Sequence, residues 1–431
     1  MSPEMIGVIG LCILLICIFS RMNIGLAMAS IGFFGFAYIS GMKSALGMMG
    51  SNPYNTIAYY PITVVPLFVF MGAIISNSGM GTNLFNSGYK WFGQMRGGLC
   101  VATVAACALF AAMCGSSMAE TLTIGKIALP EMKKYKYDDS LSSGCVACAG
   151  SLAILIPPSM GFVLYGILTE QSVGVLFMAG VLPGILLSAL FILVIMVVTL
   201  RNPKLAPPGL RTPFKEKILS LKITWVVVVL FLLVLGGIYT GIFTPTEAGA
   251  IGAFGAIVIT FISRQLDFKT LLASIAEAGV TTAMIMILII GAFIFMKFMA
   301  ISKLPFVLAG TISGLGLSPY VILAFIVIIY IILGMLLEIN SAMVLTIPLI
   351  YPVITALGFD PIWFGVIVVI LMEMGLATPP VGMNVFILAT VTDTPMGTIF
   401  RGVWPFVAAM LICIIILTIW PQIVLFLPSK M

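Results

Sequence analysis

ILIPPSMGF (154–162) and LATPPVGMNVF (376–386) each set a proline pair inside an apolar stretch. Proline has no backbone N–H and clashes with the preceding turn, so each pair interrupts what would otherwise be a membrane-spanning helix. The two interruptions lie 222 residues apart and share a register: Pro130, Asp138, Pro157, Pro158, Gly180, Val181 and Pro183 recur as Pro352, Asp360, Pro379, Pro380, Gly402, Val403 and Pro405. Paired broken helices in the two halves of a membrane chain point to a transporter's binding site.

The surrounding composition fits that reading. The chain is 61% hydrophobic and 8% charged over 431 residues, more apolar surface than a water-soluble domain can bury. Apolar stretches at 4–20, 24–40, 60–80, 138–168, 172–200, 222–241, 245–263, 274–300, 361–391 and 398–427 read as spans, against the roughly 20 residues that cross a bilayer. The first has no basic leader and no small-residue cleavage site, so it reads as a retained span. There is no histidine, which removes the usual zinc, haem and catalytic-triad chemistries. Cys145 and Cys148 sit in SSGCVACAGSLA, a run of small residues that reads as helix packing.

Two stretches are too long for one span. Residues 98–132 as a single helix would measure about 52 Å, against a hydrocarbon core of about 30 Å. Cys114 to Ser117 interrupt them, and Glu338-Ile339-Asn340-Ser341 likewise interrupt 318–357. Each reads as a re-entrant helical hairpin with a polar tip buried in protein, since non-helical backbone at that depth must avoid lipid. The fold class expected is therefore all-α: a polytopic membrane protein with inverted repeats, two hairpins and two broken helices.

Fifteen of the twenty basic residues fall in loops that alternate consistently to one side, from Arg21 through the cluster between Arg201 and Lys222 to Arg401. Basic loops stay in the cytoplasm, which puts the N-terminus outside, the first hairpin entering from the cytoplasm and the second from outside. The basic, proline-rich 201–222 stretch reads as a linker and topology signal; no nucleic-acid partner is expected. The divisions are 1–97 (scaffold helices), 98–200 (first repeat), 201–300 (linker and scaffold) and 301–431 (second repeat).

The tips and breaks have the chemistry of a sodium site, because hard cations take oxygen ligands and unwound carbonyls plus hydroxyls supply them. The first set is Gly115, Ser116, Ser117 and Glu120 facing Pro157, Pro158 and Ser159. The second is Gly334, Glu338, Asn340 and Ser341 facing Thr378, Pro379, Pro380 and Gly382. Each Glu can ligate a cation, cap a hairpin helix or pair with an intramembrane lysine. Helix N-termini at the breaks favour an anionic substrate group, with Ser116, Ser159, Lys297 and Asn384 as candidate contacts. Lys297 can also snorkel to the outer interface.

At these residues the chain resembles the large membrane subunit of TRAP (tripartite ATP-independent periplasmic) transporters. The resemblance lies in GSSMAETLTIGKIALPEM (115–132), LIPPSMGFVLYGILTEQSVGVLFMAGVLPG (155–184), GGIYTGIFTPTEAGAIGAF (236–254), ALGFDPIWFGVIVVILMEMGLATPPVGMNVF (356–386) and IFRGVWPF (399–406). It implies an elevator-type member of the ion-transporter superfamily in the bacterial inner membrane, not an enzyme. It also implies Na+-driven uptake of an organic acid, a C4-dicarboxylate or sialic acid, delivered by a periplasmic substrate-binding protein. A small four-helix membrane subunit is implied as a separate partner chain, alongside membrane lipid. The alternative is a stand-alone sodium/anion symporter or antiporter. The family usually carries a small residue or Asp where this chain has Glu120, and commonly Asp where it has Glu338.

Overall fold

A computed structural model describes residues 1–314 and 316–431. The side chains of Lys222 and Ile223, and with them the last basic residue of the linker, lie outside that description. Among the described residues every element is helical. Among the described residues seven helices are long and apolar enough to cross a bilayer, or up to nine if each bent pair counts as one span.

The proline pairs end helices as their chemistry requires. Asp139–Ala149 and Leu152–Leu155 stop at Ile156, and Met160–Thr169 restarts the chain at 43° to the first segment. Pro361–Ala377 stops at Thr378, and Met383–Val391 restarts it. Both prolyl–prolyl bonds are cis. The two halves also start these helices alike. Asp138 accepts hydrogen bonds from the Ser140 and Leu141 N–H groups, and Asp360 accepts them from Ile362 and Trp363. An Asp at this position satisfies N–H groups that the helix leaves unpaired.

Both overlong stretches fold as helix pairs. Gly98–Cys114 and Ser117–Lys134 are joined through Gly115 at φ +63, a left-handed conformation suited to glycine. The far ends of this pair meet again, since the Leu99 N–H donates to the Tyr137 hydroxyl at 3.2 Å. Pro319–Leu336 and Ile339–Ala356 form the second pair. Thr346 donates to the Tyr330 hydroxyl at 3.0 Å, residues nearly equidistant from the tip on opposite arms.

Two packed groups result. In one, the helix Ile24–Ser40 lies along the 35-residue helix Phe268–Ser302, and Val64–Asn77 packs against both the latter and Pro245–Ile262. Small residues permit the approach: a Cβ on Gly291 would stand 2.1 Å from the Gly25 carbonyl oxygen. In the other, the broken helices and hairpins interlock across the halves. Asp139–Ala149 packs on Met396–Ile419, where a Cβ on Gly144 would stand 2.2 Å from Gly402. The Tyr165 hydroxyl donates to the Pro361 carbonyl at 2.6 Å.

The structure adds to the sequence reading. Three helices, Met42–Ile57, Met80–Phe92 and Leu304–Gly314, lie where no span was expected. The last span is shorter than 398–427: its helix ends at Ile419, because Pro421 cannot continue it. The linker is tied down, with Asp138 N–H donating to the Leu205 carbonyl at 2.8 Å and Gly209 N–H to the Gly93 carbonyl at 2.7 Å.

Candidate functional site

A cavity of about 130 Å³ opens where the two packed groups meet. Its walls come from the first hairpin tip (Gly115, Ser116, Ser117), the second tip (Glu338, Asn340) and the first break (Pro158). Val64–Asn77 adds Ser76, and Phe268–Ser302 adds Glu277 and Thr281. Both tips thus reach one space, and a helix pair from the other packed group closes it.

The first tip is seated on the first break. A Cβ on Gly115 would lie 3.2 Å from the Pro158 carbonyl oxygen. Ser116 caps the second arm by accepting from the Ala119 N–H at a long 3.4 Å. Ser117 faces inward instead. Its hydroxyl donates to Glu373 Oε2 at 3.0 Å and accepts from the Asn384 amide at 2.9 Å, and that amide also reaches the Ala147 carbonyl at 3.2 Å. One hydroxyl therefore ties the first hairpin to both helices of the second break. Glu120, Glu373 and Asn384 are buried.

The second tip is more self-contained. Glu338 is the cap of Ile339–Ala356: Oε2 accepts from the Ser341 N–H at 3.3 Å and from the Ser341 hydroxyl, and Oε1 accepts from the Asn340 amide at 2.7 Å. Glu338 thus caps its own hairpin helix. Gly334, one turn earlier, lies against the second broken helix, 3.2 Å from Gly375 Cα were it to carry a Cβ.

The breaks satisfy part of themselves. Ser159 caps Met160–Thr169 by accepting from the Phe162 N–H and donates its hydroxyl to the Ile154 carbonyl. The Thr378 hydroxyl donates to the Met374 carbonyl. Pro157, Pro158 and Ser159 are buried, whereas Pro379 is half-buried and Pro380 exposed. Thr378, Pro379, Pro380, Gly382 and Asn384 are not among the cavity's lining residues; Gly382, at φ +59, starts Met383–Val391.

Lys297 is not brought to the site. It is exposed, about 18 Å along its helix from Ile285, the last cavity residue on that helix, and about 120° round it. An exposed lysine near a span end fits snorkelling.

Glu373 escaped the sequence reading. It is a lone carboxylate in the apolar run VILMEMGLA, and an intramembrane acid is a functional-site signal by default. Glu277 was also missed, although it faces the cavity and accepts from the Asn77 amide at 2.8 Å.

Comparison with known proteins agrees with this architecture. A sequence model of the family described as "Tripartite ATP-independent periplasmic transporter, DctM component" matches residues 11–423. The chain is 37% identical to the C4-dicarboxylate TRAP transporter large permease protein DctM of Pseudomonas aeruginosa, over 87% of this chain and 88% of that one. It is 30% identical to the sialic acid TRAP transporter large permease protein SiaM of Vibrio cholerae, over 86% of each. The isethionate TRAP transporter permease protein DctMQ of Oleidesulfovibrio alaskensis is 32% identical over 92% of this chain and 65% of its own length. Among solved structures, the Alcanivorax borkumensis YdaH transporter superposes with a TM-score of 0.67 at 16% identity over 89% of each chain. At that identity the likeness speaks for the fold alone. The relatives are permeases, not enzymes.

Proposed function

The chain belongs to the DctM component family of tripartite ATP-independent periplasmic transporters, a multi-pass protein of the bacterial inner membrane, and from that membership we propose that it takes up an organic acid anion driven by sodium. The substrate classes proposed are a C4-dicarboxylate or sialic acid, the compounds named for its P. aeruginosa and V. cholerae relatives. A periplasmic substrate-binding protein delivers the substrate, and a small membrane subunit braces the scaffold.

The observation that carries this reading is the cavity shared by both hairpin tips, the first break and the two scaffold helices. The tips are not equivalent toward an anion. A helix leaves its first N–H groups unpaired and its N-terminus partly positive. At Ile339–Ala356 the Glu338 carboxylate already occupies that position. At Ser117–Lys134 the cap is a neutral serine at long distance, and Ser117 and Met118 line the cavity. A substrate carboxylate is therefore best held at the first tip.

Sodium binds beside it, at the tip–break junctions. Gly115–Ser117 with Pro157–Ser159 form one such junction, and Gly334 and Glu338–Ser341 with Thr378–Gly382 form the other. Carbonyls released by the breaks and tip hydroxyls are the oxygen ligands a hard cation takes. The cation also offsets the charge of a carboxylate in a cavity whose lining among the described residues includes Glu277 and Glu338 and no lysine or arginine.

Transport follows by carrying the site. Residues 98–200 and 318–427 move as one body against the other helices, so the polar tips remain in protein and never meet lipid. Ser76 and Glu277 lie near the helix ends that the charge pattern puts in the cytoplasm, which makes the present arrangement the cytoplasm-facing one.

The test is uptake of radiolabelled succinate and sialic acid into proteoliposomes under an imposed sodium gradient, with and without the binding protein and small subunit. Uptake that needs sodium and both partners is expected. Sodium-driven uptake by the purified chain alone would favour a stand-alone symporter, and sodium-independent uptake would remove the coupling from the proposal.

A further inference from the structure

Behind the first hairpin tip, away from the cavity, lies a group of buried oxygens that the structure leaves unpartnered. Ser117, Glu120 and Thr121 occupy one face of the helix Ser117–Lys134, at spacings of three and four residues. All three are buried, with Glu120 and Thr121 at 0% exposure. Both carboxylate oxygens of Glu120, the Thr121 hydroxyl, Glu373 Oε1 and Asn384 Oδ1 have no hydrogen-bond partner. Ser117 links them, because its hydroxyl bonds both Glu373 Oε2 and the Asn384 amide. Glu120 follows Ser117 by three residues on the helix face that Ser117 turns toward Glu373.

Two fully buried carboxylates cost several kcal/mol each unless a cation or a proton answers their charge. No lysine or arginine does so here: the one salt bridge among the described residues is Lys134–Glu131, at the cytoplasmic end of the hairpin. Lys126, on the same helix as Glu120, is exposed. No three acid, cysteine or histidine side chains converge among the described residues, so a transition-metal site is not formed. What remains is a set of neutral and charged oxygens, which is the ligand preference of a hard cation.

We propose that Glu120, Thr121, Glu373 and Asn384, gathered around Ser117, bind a sodium ion additional to those at the tip–break junctions, adjoining the first junction at Ser117. This rests on the sodium-driven reading above and adds one ion to it. The site lies between the first hairpin and the second broken helix, so occupancy locks the two halves together. The bound ion is carried with them as cargo. Glu120 is thereby assigned to this site and not to the tip.

The test is equilibrium binding of radiolabelled sodium to the purified protein in a choline buffer, without substrate. Three forms are compared: the native chain, Glu120→Gln/Glu373→Gln, and Ser116→Ala/Ser159→Ala. The carboxamide pair is expected to bind one sodium ion fewer than the native chain, while the serine pair keeps that ion. Thr121→Val, which changes shape least, is expected to weaken the same ion by about tenfold, and it serves if the carboxamide pair fails to fold. Unchanged sodium number and affinity in the carboxamide pair, or unchanged affinity in Thr121→Val, would overturn this site and leave the junction sites standing. A native chain that binds no sodium at all would overturn the sodium-driven reading itself.

Discussion

The first hairpin tip reads Gly-Ser-Ser and the second Glu-Ile-Asn-Ser, yet each opens an 18-residue helix and each lies against a broken helix. They differ in where their polar groups point. The first tip sends Ser117 across the molecule to Glu373 and Asn384. The second closes on itself, with Glu338 capping its own helix and holding Asn340. The breaks differ in the same sense, the first being buried throughout and the second partly exposed. Helix-breaking residues are duplicated because backbone geometry demands them in both halves. Polar groups are not duplicated, because each half faces different neighbours. A repeat therefore locates two sites without making them alike.

The comparison can be strained hardest at the close contact of the second half. Gly375→Val would force a side chain to within 2.3 Å of the Gly334 backbone. Overpacking costs about 1–3 kcal/mol, with backbone the least able to yield. A clear fall in melting temperature of the detergent-solubilised protein is expected. An unchanged melting point would mean that the second tip is not seated on its broken helix.

Next come the two tips themselves. Ser117→Ala strips a partner from two buried groups, each worth about 1–3 kcal/mol when left unpaired. A double-mutant cycle with Asn384→Leu is expected to be strongly non-additive, since the pair shares one hydrogen bond. Glu338→Ala removes a cap worth about 0.5–2 kcal/mol, and its cycle with Thr378→Val, measured in sodium-free choline buffer, is expected to be additive. Additivity at Ser117–Asn384, or coupling at Glu338–Thr378, would reverse the assignment of which tip connects the halves.

The smallest expected effect is at Lys297. Lys297→Met removes an exposed charge away from the cavity, so stability should change by no more than about 0.5 kcal/mol and the substrate concentration for half-maximal uptake should stay the same. A large rise in that concentration would return Lys297 to the substrate site.

The sequence exposed most of this molecule through its exceptions. Pro157, Pro158, Pro379 and Pro380 marked the breaks, and Gly115 and Glu338 marked the tips, because each is costly inside an apolar helix. The helices Met42–Ile57, Met80–Phe92 and Leu304–Gly314 were hidden for the opposite reason, being too short or too polar to read as spans. Glu373 carried a signal equal to that of Glu338 but sat within a helix and not at a break. Its link to Ser117 joins residues 256 positions apart, a pairing that local pattern does not reveal. The junction sites were readable from the oxygen chemistry of the tips and breaks and the moving body from family resemblance, and the assignment of ions and motion to them rests on the experiments above.

The central claim is that the hairpins and broken helices travel together past a fixed scaffold. Ser76 on the scaffold helix and Thr123 on the first hairpin stand with their hydroxyl oxygens 3.3 Å apart. Ser76→Cys/Thr123→Cys, with Cys12 and Cys17 replaced, should form a crosslink in this arrangement. Sodium-driven uptake in proteoliposomes is expected to stop when that bond is complete and to return when it is reduced. Full uptake with the crosslink complete would contradict a moving hairpin body.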